Sequence, residues 1–278
     1  MIIVNINNGI GNQLFQYAAA RALSLEKKQK LFLNTYQLSV PTAKRKLHID
    51  ALQIPVNKLN YPFNKLAQNE PFLAFSQKYL TRVVVKESNY FQAAGSMMIL
   101  DDFFQGEQYF AKHKSKILSE LQLKNTTREL RKEIDKIKQL NSVSIHVRRG
   151  DYVQHRSFGL LNLEYYQKAV ADISKIVTDP VFILFSDDLN WVMANSFFKN
   201  LNLLPINFNN FSDMETLMLM SNCKHHIVAN SSYSWWGAYL NRSKDKIVMR
   251  PKYHWKLTPH NEAIYYPSEW LAIHNGFS

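Results

Sequence analysis

Short apolar runs alternate with longer amphipathic stretches along most of the chain. The apolar runs, most of which contain β-branched residues, are IIVNI (2–6), KLFLN (30–34), VSIHV (143–147), VFILF (181–185), HHIVA (225–229) and KIVMR (246–250). A helical pattern, LFQYAAARALSLEKK, follows the first run from about Leu14, and helical segments separate most of the others. This alternation predicts an α/β protein whose parallel sheets are built from βαβ units.

The stretch from Lys112 to Gln139 differs from the rest because it consists of two charged helical segments that meet at Lys124 and Asn125. We place the border between two α/β domains here, with an N-terminal domain over residues 1–140 and a C-terminal domain over 141–278. The region from Tyr36 to Gly95 has weak patterns broken by prolines, and acceptor contacts are one hypothesis for it.

Composition narrows the class of protein. The 278 residues are 46% hydrophobic, which suffices for one large or two compact cores. A net charge of +12 favours an anionic partner such as a nucleotide-sugar, a nucleic acid or an acidic membrane surface. The single cysteine, Cys223, excludes an internal disulfide and is expected to be a small buried residue in a reducing compartment. No leader-like start or apolar run of membrane-spanning length is seen, so we predict a cytoplasmic location.

The first candidate site is NNGIGNQLFQYA, in which Gly9 and Gly11 follow the opening strand. Glycines before a helix allow backbone N–H groups to approach a phosphate. The run lacks the Lys-Ser/Thr of a P-loop and the third glycine of a dinucleotide fingerprint, so an ordinary βα turn is the alternative.

The second candidate site is HVRRGDY, where Arg148 and Arg149 follow a buried strand. Ligands of open α/β sheets bind at this strand end, and guanidinium groups fork onto phosphate oxygens. Strand alternation sends the two arginines to different sides, so we expect one to meet a phosphate and the other to brace the loop. Asp151 is expected to orient an arginine or bind a sugar hydroxyl; a surface Arg–Asp pair is the alternative.

Two further runs carry polar residues at predicted helix starts. FSDD at 185–188 ends a strand, and either forms a helix cap or contributes to a site. Asn230, Ser231, Ser232 and Ser234 mark the start of a helix that offers a second anion cradle, while Trp235 and Trp236 are expected to pack in the core. His225 and His226 have no partner at metal-ligand spacing and are expected to be structural.

Taken together, GxGNQxFQYA, HVRRGDY, FSDD and LMSxCKHxIxANSSYSWWGAYL closely resemble the bacterial α-1,2-fucosyltransferases of glycosyltransferase family 11. A fainter similarity extends to the α-1,6- and protein O-fucosyltransferases. The resemblance implies a GT-B fold of two Rossmann-like domains facing a central cleft, with GDP-fucose held by the C-terminal domain and the acceptor by the other. It also implies inverting transfer of L-fucose to the 2-hydroxyl of a terminal β-galactose on an oligosaccharide or lipid-linked surface glycan.

The resemblance also assigns residues. It implies that Arg148 binds the donor diphosphate with support from Arg149, and that Asn12 also reaches the donor. The full set of candidate donor-binding residues is Gly11, Asn12, Gln13, His146, Arg148, Arg149, Asp187, Asp188, Glu215, Asn230, Ser231 and Ser232.

The proton acceptor is not singled out by spacing. The α-1,6 enzymes place a glutamate shortly after the arginine motif, whereas VQHRSFG here contains none. Asp151 and His155 are the candidates, together with a late proton loss that needs no base. The run Asp213-Met214-Glu215 reads as a helix cap or a ribose contact rather than a metal site, so no metal cofactor is expected.

Other functions remain as alternatives. A fucosyltransferase of another linkage fits the same motifs. A basic RNA-binding protein fits the charge, but the basic helices lack interleaved aromatic residues and no RNA-binding motif is present. A further hypothesis is that the basic surface holds the protein peripherally against anionic lipids on the inner face of the membrane.

Overall fold

The computed structural model describes residues 1–60, 82–153, 159–256 and 265–277. The chain divides into two compact units, Met1–Lys124 and Asn125–Ser278. Both have parallel sheets with helices between the strands, which confirms the predicted α/β class. No helix in these ranges is long and apolar enough to cross a membrane.

Within the described residues, the first unit contains a five-stranded sheet in the order β3-β2-β1-β5-β4, with every pairing parallel. The apolar runs at β1 and β5 are buried along their whole length, so they form the centre of the sheet. The strands are β1 (Ile2–Asn5), β2 (Leu31–Asn34), β3 (Asn57–Leu59), β4 (Arg82–Val85) and β5 (Met97–Leu100). The helices are α1 (Ile10–Lys27), α2 (Tyr36–Ser39) and α3 (Lys114–Glu120).

The second unit contains, in its described part, a six-stranded sheet in the order β11-β10-β9-β6-β7-β8. Strand β6, near the centre of this sheet, is buried along its whole length, and aliphatic and aromatic side chains pack against it to form the core. The strands are β6 (Ser142–Val147), β7 (Val181–Ser186), β8 (Leu203–Pro205), β9 (His225–Ile227), β10 (Val248–Pro251) and β11 (Leu271–Ile273). The helices are α4 (Arg128–Gln139), α5 (Leu163–Ser174), α6 (Leu189–Ala194), α7 (Ser196–Lys199), α8 (Asp213–Ser221) and α9 (Ser232–Leu240).

The structure divides the chain after Lys124, whereas the sequence analysis drew the border after residue 140. The difference is helix α4, which buries Leu130 and Ile137 and packs against α8 of the second unit. The division therefore falls at the junction of the two charged helices, where Lys124 meets Asn125.

Helix α1 begins earlier than the sequence pattern indicated. It starts at Ile10 rather than near Leu14, because Gly9 is extended (φ −73°, ψ 167°) and its carbonyl accepts the N–H of Gln13 at 3.1 Å. The left-handed residue of the turn is Asn8, with φ 61°, and not a glycine. A side chain at Gly9 would have open space around it.

A buried polar network ties the strands of the second sheet together. His226 on β9 pairs through Nδ1 with the hydroxyl of Ser144 and through Nε2 with the amide of Asn241, each at 2.8 Å. Burial, followed by the nearby Lys246, holds the pKa of His226 well below its ordinary value, so the ring is neutral. The structural role expected for this histidine therefore fits its contacts.

Candidate functional site

The loops after β6, β7 and β9 place most of the predicted site residues at one edge of the second sheet. These strands are neighbours and parallel, so their carboxyl ends lie side by side. The HVRRGDY, FSDD and NSS runs leave the sheet at this edge. It is also the edge at which ligands of open α/β sheets bind.

Arg148 lies between two carboxylates. Its Nη1 donates to Asp187 Oδ2 and its Nη2 donates to Asp151 Oδ1. Its Nε is buried and has no partner in the described part of the chain. The guanidinium is thus held in one orientation, with its side chain 23% exposed. The expectation that Asp151 orients an arginine fits this geometry.

Arg149 points to different partners, as strand alternation predicts. Its Nε donates to Asp188 Oδ2 at 3.0 Å, and its guanidinium carbon lies 4.0 Å from the centre of the Trp191 ring. Its backbone N–H donates to Asp187 Oδ1 at 2.8 Å. Arg149 therefore braces the loop against the start of α6, which the sequence pattern had suggested for one of the two arginines.

The two aspartates of FSDD have separate roles. Asp188 caps α6 by accepting the N–H of Trp191 at 3.1 Å, and this bond, followed by Arg149, lowers its pKa. Asp187 holds both the Arg148 side chain and the Arg149 backbone. A Cβ at Gly150 would overlap the Asp187 carboxylate, so a side chain at this position would displace Asp187 from its place against Arg148.

His146 lies on β6, two residues before Arg148, which follows the strand, so strand alternation points the two side chains to the same side. Its side chain is buried, and its Nδ1 has no hydrogen-bond partner among the described residues. Burial, followed by the charge of Arg148, lowers its pKa to about 3, so the ring is neutral near pH 7. Its ring centre lies 5.7 Å from that of Tyr233, in the first turn of α9.

The polar residues around the start of α9 hold the preceding loop by hydrogen bonds to the backbone. Ser231 accepts the N–H of Tyr233 at 3.3 Å, and Ser234 accepts the N–H of Ala229 at 3.1 Å. Asn230 is buried and donates to the carbonyls of Gly159 and His254. Of the predicted donor-binding residues here, Ser232 has a half-buried surface beside the helix start, whereas Asn230 and Ser231 face inward. Trp235 and Trp236 are fully buried, as expected.

Glu215 is a helix-capping residue. Its Oε2 accepts the backbone N–H of Ser212 at 2.9 Å and the hydroxyl at 2.8 Å, which completes a capping box on α8. Asp213 lies in the same first turn. No group of three or more His, Cys, Asp or Glu residues with metal-site geometry occurs in the described ranges.

The first-unit motif lies at the start of α1. Gly11 is inside the first turn, and Asn12 accepts the side-chain N–H of Gln105 at 2.7 Å. Gln13 is fully buried; it donates to the carbonyls of Asn8 and Lys46, both at 2.8 Å, and accepts the N–H of His48 at 2.9 Å. Gln13 thus fixes two loops rather than presenting its amide to a ligand. His155, a candidate base, lies outside the described residues.

Two contributors were missed by the sequence analysis. Trp191 supports the Arg149 guanidinium, and the Tyr152 hydroxyl donates to the Asn230 carbonyl at 3.0 Å, joining the loops after β6 and β9. The aromatic position within HVRRGDY was the only signal for Tyr152. Trp191 lies 42 residues beyond Arg149, and no local pattern joins them.

Comparison with known proteins identifies the family of this chain. The model of the family described as Glycosyl transferase family 11 matches residues 1–274. An Escherichia coli alpha-1,2-colitosyltransferase is 29% identical over 98% of this chain and 99% of its own length. The O-antigen biosynthesis glycosyltransferase WbnK of the same species is 30% identical over 89% of this chain and 92% of its own. A mouse galactoside 2-alpha-L-fucosyltransferase, Sec1, is 23% identical over 98% of this chain and 74% of its own length.

Solved structures show the same fold at low identity. The NodZ alpha-1,6-fucosyltransferase soaked with GDP-fucose aligns with a TM-score of 0.53 and 14% identity, covering 86% of this chain and 92% of its own. A mutant of Arabidopsis thaliana FUT1 in complex with GDP aligns with a TM-score of 0.51 and 10% identity, covering 97% of this chain and 75% of its own. With two parallel α/β sheets in this chain, these alignments confirm the predicted GT-B fold class.

Proposed function

Since the chain belongs to glycosyltransferase family 11, we propose that it transfers L-fucose from GDP-β-L-fucose to the 2-hydroxyl of a terminal β-galactose, with inversion, giving Fucα1-2Gal. The observation that carries the proposal is Arg148, fixed by Asp151 and Asp187 at the carboxyl edge of β6 with its Nε unpartnered in the described structure. The second unit supplies the donor site and the first unit the acceptor site.

The leaving GDP needs positive charge near its diphosphate as the sugar–oxygen bond breaks. Arg148 supplies it, and the positive end of the α9 helix dipole adds to it. Neutral His146, two residues before Arg148, contributes a hydrogen bond rather than a charge. Because guanidinium groups serve this purpose, we propose that the reaction requires no metal; full activity in EDTA is expected, and loss reversed by added manganese would contradict it.

For the diphosphate to bind, Arg148 must exchange one of its two carboxylate partners for a phosphate oxygen. Two guanidinium groups face three carboxylates in the cluster of Arg148, Arg149, Asp151, Asp187 and Asp188. Asp187 also accepts the Arg149 backbone N–H, whereas Asp151 lies on the short turn Gly150–Val153 that follows the strand. Asp151 is therefore the partner that we expect the phosphate to replace, and its carboxylate is the candidate base for the acceptor hydroxyl.

A second candidate donor is GDP-colitose, because one relative over nearly the full length is an alpha-1,2-colitosyltransferase. Colitose lacks one hydroxyl of fucose, and sites that hydrogen-bond a hydroxyl discriminate strongly against a ligand without it. The test is incubation of the protein with each donor and a panel of β-galactosides, with the linkage of the product determined by NMR. A product from GDP-fucose with a linkage other than α1-2, or a clear preference for GDP-colitose, would refute the corresponding part of the proposal.

Peripheral contact with an anionic membrane is a separate proposal that rests on the net charge of +12. Flotation with vesicles containing phosphatidylglycerol at physiological salt is the test. We expect co-flotation that weakens as salt is raised. Absence of co-flotation would refute membrane contact without affecting the proposed reaction.

A further inference from the structure

Polar side chains from four adjacent strands form a continuous row at the carboxyl edge of the first sheet. Asn34 at the end of β2 donates to Asn5 Oδ1 at 2.8 Å, and Asn5 at the end of β1 donates to Asp101 Oδ1 at 2.9 Å. Lys86, directly after β4, pairs with Asp101 Oδ2 at 3.1 Å. We call Asn34, Asn5, Asp101 and Lys86 the polar edge.

The inner half of the polar edge is buried and the outer half is accessible. Asn5 and Asn34 are 3% and 4% exposed, whereas the side chains of Asp101 and Lys86 are 33% and 46% exposed. The backbone fixes this outer pair as well, because the Asp101 N–H donates to the Val85 carbonyl at 3.1 Å. The accessible pair is therefore held from behind by buried hydrogen bonds.

The accessible pair retains hydrogen-bonding capacity. An ionised carboxylate accepts about four hydrogen bonds. Asp101 uses one on each oxygen, from Asn5 and from Lys86. The ammonium of Lys86 has three N–H groups, of which the carbonyl and the carboxylate of Asp101 take two. Acceptor and donor sites thus lie side by side on a partly exposed surface.

The charge of this surface selects the class of ligand. One carboxylate beside one ammonium has no net charge, and Glu87 and Asp102 next to the pair disfavour a phosphate. No cluster in the described ranges offers a metal site. A neutral polyol matches instead, because neighbouring hydroxyl groups donate to a carboxylate and accept from an ammonium.

We propose that the polar edge binds a hydroxyl-rich neutral sugar of the acceptor, with Asp101 accepting from one hydroxyl and Lys86 donating to its neighbour. This inference rests on the proposed function, since it supplies the acceptor site of that reaction. It assigns acceptor recognition to particular strand ends of the first sheet, and one of these residues, Lys86, lies in the region from Tyr36 to Gly95 for which acceptor contacts were a hypothesis.

The test separates acceptor binding from donor chemistry. The variants are Asp101→Asn and Lys86→Met, and Asp172→Asn is the matched control, because it removes a carboxylate from an exposed pair with Lys175 in the second unit. Two rates are measured: hydrolysis of GDP-fucose without acceptor, and transfer to lactose as a function of lactose concentration. Both variants should fold, because exposed ion pairs contribute little to stability.

We expect KM for lactose to rise roughly tenfold or more in both variants, as the loss of a charged hydrogen-bond partner predicts, while hydrolysis stays within about twofold. The control should match the wild type in both rates. A KM within about twofold of the control would overturn the inference, and so would a parallel fall in hydrolysis and transfer, which indicates a general structural defect.

A failure of the proposed function is distinguishable from a failure of the polar edge. If the wild-type protein neither hydrolyses nor transfers fucose, saturation-transfer NMR with methyl β-galactoside still reports direct binding. A signal from the wild type and the control that is lost in Asp101→Asn supports the polar edge. Equal signals, or none from any protein, refute it.

Discussion

Replacing Arg148 with lysine tests the centre of the proposed donor site. The substitution keeps one positive charge but removes the planar fork whose two arms hold Asp187 and Asp151. Lysine presents a single ammonium and cannot keep Asp187 while offering an aligned pair of N–H groups to a diphosphate. We therefore expect a large loss in turnover with little change in fold.

The magnitude follows from the bonds that are lost. Hydrogen bonds to charged groups are worth about 1.5 to 3 kcal/mol each, and lysine loses one or two of them in the transition state. The expected increase in the activation barrier is about 2 to 4 kcal/mol, which corresponds to a fall of about 30-fold to about 900-fold in kcat/KM.

The neighbouring substitution is the matched comparison. Arg149→Lys weakens the contact with the Trp191 ring and the bond to Asp188, which together hold the loop against α6. A partly exposed cation–π contact contributes about 0.5 to 1 kcal/mol, so Tm should fall by a few degrees. Arg148→Lys should leave Tm nearly unchanged.

The assay is steady-state transfer from GDP-fucose at saturating lactose, together with thermal unfolding followed by circular dichroism. The two variants should separate, with Arg148→Lys losing rate and Arg149→Lys losing stability. Near-normal turnover in Arg148→Lys would show that the diphosphate binds elsewhere. A matching loss of Tm in both would show that Arg148 is mainly a structural residue.

Three further predictions concern the packing at Gly150, the exchange of partners at Arg148 and the titration of His226. Gly150→Ala should lower activity at least tenfold, because its methyl group overlaps the Asp187 carboxylate, and activity near that of wild type would contradict the packing described. Asp151→Asn should bind GDP more tightly by calorimetry yet transfer fucose more slowly, since Arg148 loses a competing carboxylate; weaker GDP binding would refute the exchange. For His226, whose pKa lies well below its ordinary 6.5, the unfolded chain binds a proton that the folded chain excludes. The free energy of unfolding should therefore fall by up to about 1.4 kcal/mol per pH unit below pH 6.5, and an equally steep fall in His226→Gln would exclude this origin.

Sequence patterns that span about ten residues or fewer predicted most of the longer strands correctly. The runs at β1, β2, β6, β7, β9 and β10 were recognised by their apolar residues, many of them β-branched, and all six form strands. The three-residue strands β3, β8 and β11 have no such pattern, because pairing with longer neighbours rather than local propensity makes them strands. The apolar run of β5 lacks alternation and was not recognised either.

In the candidate site, too, local sequence patterns predicted the direction of neighbouring side chains but not the contacts between residues far apart in the sequence. Strand alternation was sufficient to separate the directions of Arg148 and Arg149, and their partners Asp187 and Asp188 were recognised as candidates. That Asp187 holds Arg148 depends on the pairing of β6 with β7, which brings together residues 39 positions apart. The polar edge depends likewise on the pairing of β1 with β5, across 96 positions between Asn5 and Asp101.

The charge of the whole chain does not explain the proposed donor site. The protein carries a net +12, yet the cluster around Arg148 contains more carboxylates than guanidinium groups. Long-range attraction of an anion to that cluster is therefore weak, and the fixed geometry of the fork becomes the main source of affinity. The carboxylates lower affinity for free phosphate but keep the guanidinium oriented between turnovers. A site of this kind favours a ligand that provides two aligned oxygens, as a diphosphate does, over a single anionic group.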